Sequence, residues 1–162
     1  MRTIWGIVLL ILVVTVACAG RTAAPAGGAA KPNSPGAQAA ARLTAQAYDG
    51  FEKKIATTFP ALEKHLAAGQ APEAVMDAEQ LAIMFGDIEQ FWAQNNKANA
   101  VTWAQEAARF ATQIAGAATA GDVAKARQIA ATMQRTCTQC HRAYRESDAA
   151  GGFQIKSGTL TR

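Results

Sequence analysis

Apolar side chains recur at intervals of three and four in four stretches of the chain, the period of helices that bury one face. The first, roughly 39–59, carries Leu43, Ala47, Phe51 and Ile55. It then meets Pro60, which predicts a kink, or a restart of the helix that runs on to Gly69. The second begins near Pro72, a favourable first helical position, and sets Val75, Ala78, Ala82, Phe85, Ile88 and Trp92 on one side. The third, 98–119, repeats the spacing with Trp103, Ala107, Phe110 and Ile114 and is closed by Gly121. The fourth starts at Asp122, a good N-cap, and lines up Ala126, Ile129, Met133, Cys137, Cys140 and Tyr144. Four amphipathic helices joined by short connections predict an all-α domain over 39–150, an antiparallel four-helix bundle. No internal repeat interrupts this reading.

The pattern changes at both ends. Arg2 precedes an apolar run of 14 residues from Ile4 to Ala17, followed by the small residues Cys18, Ala19 and Gly20. That run has the length of an export signal and falls short of the roughly 20 residues that span a bilayer. Residues 1–19 therefore read as a leader. Cleavage after Ala19 would release the rest of the chain, whereas Cys18 after Thr15-Val16-Ala17 approaches a lipoprotein box and is a candidate lipidation site, with Thr15 the departure from it. The expected location is the periplasm, free or lipid-anchored through Cys18; one acyl chain alone would hold only weakly. Residues 20–38, rich in Ala, Pro and Gly and without periodicity, read as a disordered spacer, and 151–162 as a flexible tail.

Composition agrees with a helical domain: half of the residues are apolar and few are aromatic. Formal charge is +4, falling to +3 once Arg2 leaves with the leader. No dense Lys/Arg cluster is interleaved with aromatics, so a nucleic-acid partner is not expected. The mild positive charge points only faintly to an acidic partner.

The chemistry lies where the fourth stripe runs into Cys137-Thr138-Gln139-Cys140-His141. Offsets of three and four place the two thiols and the imidazole on one helical face. This arrangement suits haem c: two thiols add to the vinyl groups on one porphyrin edge, and His141 reaches the iron as proximal ligand. A thioredoxin-like dithiol needs its first cysteine at the start of a helix after a strand, and no strand precedes this pair. A structural zinc site needs four ligands, and beyond this motif and the leader only His65 remains among histidines and cysteines. A disulfide between adjacent helical turns has poor geometry and closes a very small loop. The order of the common small cytochromes c, with a methionine ligand far downstream of the motif, does not apply, because the 21 residues after His141 contain no Met or His.

The segment from Cys137 to Arg145, ending the last helix of a four-helix pattern, resembles the cytochrome c′ family and its related low-spin cytochromes c-556. The resemblance spans about 39–150; its motif is specific, while the earlier helices match in pattern and length. It implies thioethers at Cys137 and Cys140, His141 as proximal ligand, and Arg145 as a basic residue beside the proximal haem face. Arg145 also reads as a helix-end cation that complements the macrodipole. Tyr144 and Met133 read as core packing. In the family the first helix covers the distal face, and two bundles pair through their first two helices. A homodimer is therefore an expectation that leaves Trp92 and Trp103 either in the core or at an interface.

The expected first-helix stretch has no Met or His; Leu43, Tyr48, Phe51 and Ile55 are the plausible distal residues, with Lys53 and Lys54 poorer candidates. The expectation is an open, apolar distal site, against which Met76, Met84 and His65 stand as rival sixth ligands. The first functional expectation is one-electron transfer in the bacterial cell envelope with a periplasmic or membrane redox partner. The second is binding of a diatomic gas, nitric oxide or CO. A peroxidase needs a polar distal set, commonly His and Arg, which this stretch does not offer, so no enzymatic activity is expected.

Overall fold

A computed structural model gives the structure of residues 42–160; the leader, Cys18 and most of the 20–38 spacer's surroundings, including that spacer itself, lie outside the described residues. Four helices follow one another, α1 (Ala45–Ala68), α2 (Ala71–Gln94), α3 (Ala98–Thr119) and α4 (Val123–Tyr144), joined by links of two or three residues. They pack in chain order as the antiparallel bundle that the periodicity predicts.

The helix ends follow from local chemistry. Thr44 caps α1, its hydroxyl accepting from the Ala47 N–H at 3.1 Å. Ahead of it the chain is tied to the end of α2: the Leu43 N–H donates to Gln94 Oε1 at 2.8 Å, and Arg42 donates to the Gln94 carbonyl at 3.2 Å. Gly69 closes α1 at φ 70° and Gly121 turns the chain into α4 at φ 75°, left-handed conformations that cost a side-chain-bearing residue energy. Asp122 accepts from the Lys125 N–H at 3.0 Å, as an N-cap should.

Two expectations are corrected. Pro60 does not break α1 and restart it: the helix runs unbroken through it to Ala68. Proline removes one ladder hydrogen bond, but Thr58, Leu62 and Leu66 on either side of it are buried, so packing keeps the turns before and after it helical. The segment read as a flexible tail carries a strand: β1 (Arg145–Ser147) pairs antiparallel with β2 (Phe153–Ile155). Asp148 fastens the turn, its Oδ1 accepting from the N–H groups of Ala150 and Gly152, both at 2.8 Å. Ile155 and Leu160 then pack on the end of the bundle, and Lys156 donates to the Arg142 carbonyl at 2.8 Å.

Two buried clusters share the interior. One holds Leu62, Leu66, Leu81, Ile114 and Met133; the other, toward the start of α1 and the end of α4, holds Tyr48, Ile88, Phe91 and Trp92. Trp92 is fully buried, whereas Trp103 is half-buried and borders a cavity that is partly open to solvent. Alanines at 100, 104, 107, 111 and 118 let α3 approach its neighbours closely. Helices α1 and α4, in contrast, touch only sparsely. None of the described helices is long and apolar enough to cross a membrane.

Candidate functional site

The sparse seam between α1 and α4 is where the candidate residues meet. A cavity of about 260 Å³ is lined from α4 by Cys137, Cys140 and His141, from α1 by Glu52, Ile55 and Phe59, and from behind by Phe85, Ile88 and Trp103. A second cavity of about 490 Å³ adjoins it beneath the hairpin and shares Glu52 and Ala56 with it. The helical offsets that put three chemically distinct side chains on one face of α4 thus aim them into largely apolar space.

Both cysteines are free and half-buried, Cys137 packed on the first cluster and Cys140 on the second. Burial, reinforced by the nearby Glu52 carboxylate, pushes each thiol up to about 12. At neutral pH they are neutral S–H groups. This is the opposite of a thiolate nucleophile or redox dithiol, which needs a lowered pKa. Nor do the side chains form a cage for a bare ion: among the described residues no group of three or more His, Cys, Asp and Glu is arranged to hold a metal.

His141 carries the polar part of the site. Its Nε2 lies 3.2 Å from Glu52 Oε2, and Arg145 Nη1 approaches both ring nitrogens, at 3.2 and 3.3 Å. The same guanidinium lies 3.8 Å from Glu52 and stacks over the Phe153 ring at 3.9 Å from its centroid. Arg145 therefore belongs to the His141 cluster and is not a freely solvated helix-end cation. Tyr144 stacks between Trp92, 4.7 Å away, and Trp103, 6.3 Å away, and its hydroxyl donates to Asn99 Oδ1. That is a packing position, as the stripe implied, and Met133 is fully buried in the first cluster.

Sequence reasoning missed Glu52. Of the four first-helix residues expected near the site, Ile55 lines the smaller cavity and Tyr48 the larger, whereas Leu43 and Phe51 pack on the second cluster. The expected apolar wall is present in Ile55, Ala56 and Phe59 but carries one carboxylate, Glu52. The signal was available: Tyr48, Glu52, Ile55 and Phe59 form an i, i+4, i+7, i+11 stripe with a single polar member, displaced from the stripe through Ala47 and Phe51.

The rival iron ligands lie elsewhere. Met76 is 69% exposed, and Met84 is buried in the first cluster without lining the cavity. His65 pairs with Asp77 at 2.7 Å near the opposite end of α1, about 20 Å from Glu52 at ~1.5 Å of rise per residue. Lys53 is engaged by Asp49 at 2.7 Å on the surface.

The residues present fit a covalently held planar cofactor: two neutral thiols three apart, an imidazole beside them, and apolar space between the sparsely packed helices α1 and α4. Comparison with protein-family models, curated proteins and solved structures finds no significant match for this chain.

Proposed function

We propose that the chain is an exported c-type cytochrome of the cytochrome c′ and c-556 kind, carrying one haem c and transferring single electrons in the bacterial cell envelope. The observation that carries this reading is the convergence of Cys137, Cys140 and His141 on an apolar cavity at the α1–α4 seam. Cys137 and Cys140 would hold the haem by addition of their S–H groups across its two vinyl double bonds, which needs no leaving group, and His141 would bind its iron. Haem supplies a one-electron ferric–ferrous couple. Ile55, Phe59, Phe85 and Ile88 keep water from one side of the site, and the rigid stack of α2 on α3 limits structural change between oxidation states. An export leader at 1–19 would bring the domain to the periplasm, free or anchored through Cys18, within reach of a soluble or membrane redox partner.

A second reading, binding of nitric oxide or CO, is favoured by one observation: among the described residues no Met, and no His besides His141, lines the cavity, since Met76, Met84 and His65 all lie away from it. Absorption spectra of the matured protein separate the two. A broad high-spin ferrous Soret band that sharpens with CO is expected if the sixth position is open and gas binding is the function to pursue. Sharp α and β bands that CO does not move would show a strong sixth ligand and leave electron transfer alone.

A further inference from the structure

Resting on the functional reading above, we infer that the outward ridge of α4 is the docking surface for the redox partner, and that this partner is a protein presenting carboxylates.

Charge is sorted by helix. α4 carries Lys125, Arg127, Arg135 and Arg142 and no carboxylate, whereas α2 carries Glu73, Asp77, Glu79, Asp87 and Glu89 and no Lys or Arg. Each helix packs chiefly on its chain neighbours, so α2 and α4 stand diagonally across the bundle and give it one acidic and one basic side. Arg127, Arg135 and Arg142 lie within about 80° of one another around α4 and span about 22 Å of its length. All three are exposed, on the side away from the buried Ala126, Ala130 and Met133, and none enters an ion pair among the described residues.

The same ridge backs onto the attachment motif. Thr138 and Gln139 are exposed on it, each next in the chain to a cysteine that lines the 260 Å³ cavity. A haem bound at Cys137 and Cys140 would therefore have a covalent route through those two residues to this surface. Guanidinium groups pair with carboxylates through two parallel hydrogen bonds. The exposed positions among the three arginines are short or polar, such as Gln128, Ala131 and Thr138, with no large apolar side chain to enter a bilayer. Anionic lipid is recognised by denser clusters of about four to eight cations, so the spacing here suits a protein surface. The carboxylates of α2 repel the same partner and steer it to the α4 side.

The test uses the full chain matured with haem, as wild type, Arg135→Gln/Arg142→Gln and Arg135→Lys/Arg142→Lys. Lys64→Gln/Lys97→Gln removes the same net charge elsewhere. Electron exchange is measured by voltammetry on gold bearing a carboxylate-terminated alkanethiol monolayer, and adsorption by sedimentation with phosphatidylglycerol vesicles. On the monolayer Arg135→Gln/Arg142→Gln should exchange electrons about tenfold more slowly than wild type at low salt, with haem content and spectrum unchanged. Arg135→Lys/Arg142→Lys and Lys64→Gln/Lys97→Gln should stay near wild type, and added salt should close the gap. Arg127→Gln, farther from the motif, should repeat the effect at smaller size. Equal losses in the two charge-removing double variants, or no loss in either arginine-to-glutamine variant, would overturn the inference. Vesicle binding that needs these arginines, with a monolayer rate that does not, would overturn it in favour of a lipid surface. A wild-type chain without covalent haem would instead overturn the functional reading, and its missing Soret band tells that failure from the others.

Discussion

Cys137 and Cys140 show how much of a site a residue pattern reveals and what it omits. Their spacing, with His141 adjacent, made the pair legible from sequence because helical offsets of three and four leave no freedom about which side chains share a face. The stripe through Tyr48 and Ile55 marks the helix face of Glu52, but its pairing with His141 was not legible, since the two are 89 positions apart and only the closure of α1 on α4 brings them together. The Glu52 charge and the burial of both sulfurs have a measurable consequence in the haem-free protein. Both thiols are held up at about 12 in the folded state. Alkylation of the folded protein at pH 8 should therefore lag far behind that of the urea-unfolded chain and accelerate as pH rises toward 12. Linkage has a definite sign: above about pH 9 the unfolded chain releases thiol protons that the folded one retains, so stability falls as pH rises from about 9 to about 12. Glu52→Gln should speed alkylation at fixed pH without bringing it to the unfolded rate, because burial is the larger cause. Equal rates for folded and unfolded wild type would contradict the buried placement of both sulfurs.

At the scale of elements, capping and periodicity were readable where the deciding interactions are local. Both ends of α3 and the Asp122 cap of α4 fall where the sequence pattern puts them. Pro60 and the hairpin were not readable, for different reasons. The fate of a proline depends on whether the flanking turns are held by tertiary packing, which Thr58, Leu62 and Leu66 provide. Strands of three residues, as at Phe153–Ile155, are too short for a periodicity scan and are fixed by Asp148 in the turn and by Ile155 against the bundle. Because packing carries α1 through Pro60 against proline's preference, Pro60→Ala should restore a backbone bond and stabilise the domain by up to about 3 kcal/mol. Urea unfolding of the haem-free domain measures this as a raised midpoint at constant slope. A lowered midpoint would mean that the proline ring itself contributes needed packing.

For the whole molecule, the four-helix architecture was legible because four amphipathic stripes with short links have few ways to bury their faces. The uneven closure of the bundle was not, since it depends on how far the small residues of α3 draw α2 and α4 toward it and leave α1 to cover the remaining face. That unevenness creates the cavities, and the motif of α4 opens into them. We propose that Cys137 and Cys140 hold a haem covalently there, with His141 beside it. The direct measurement is the intact mass and pyridine haemochrome of the full chain matured in a host that assembles c-type cytochromes, after acid extraction, compared with the Cys137→Ser/Cys140→Ser double variant. The account predicts one haem retained through extraction by the wild type and none by the double variant; a folded, helical wild type that emerges from the same host without covalent haem would contradict it.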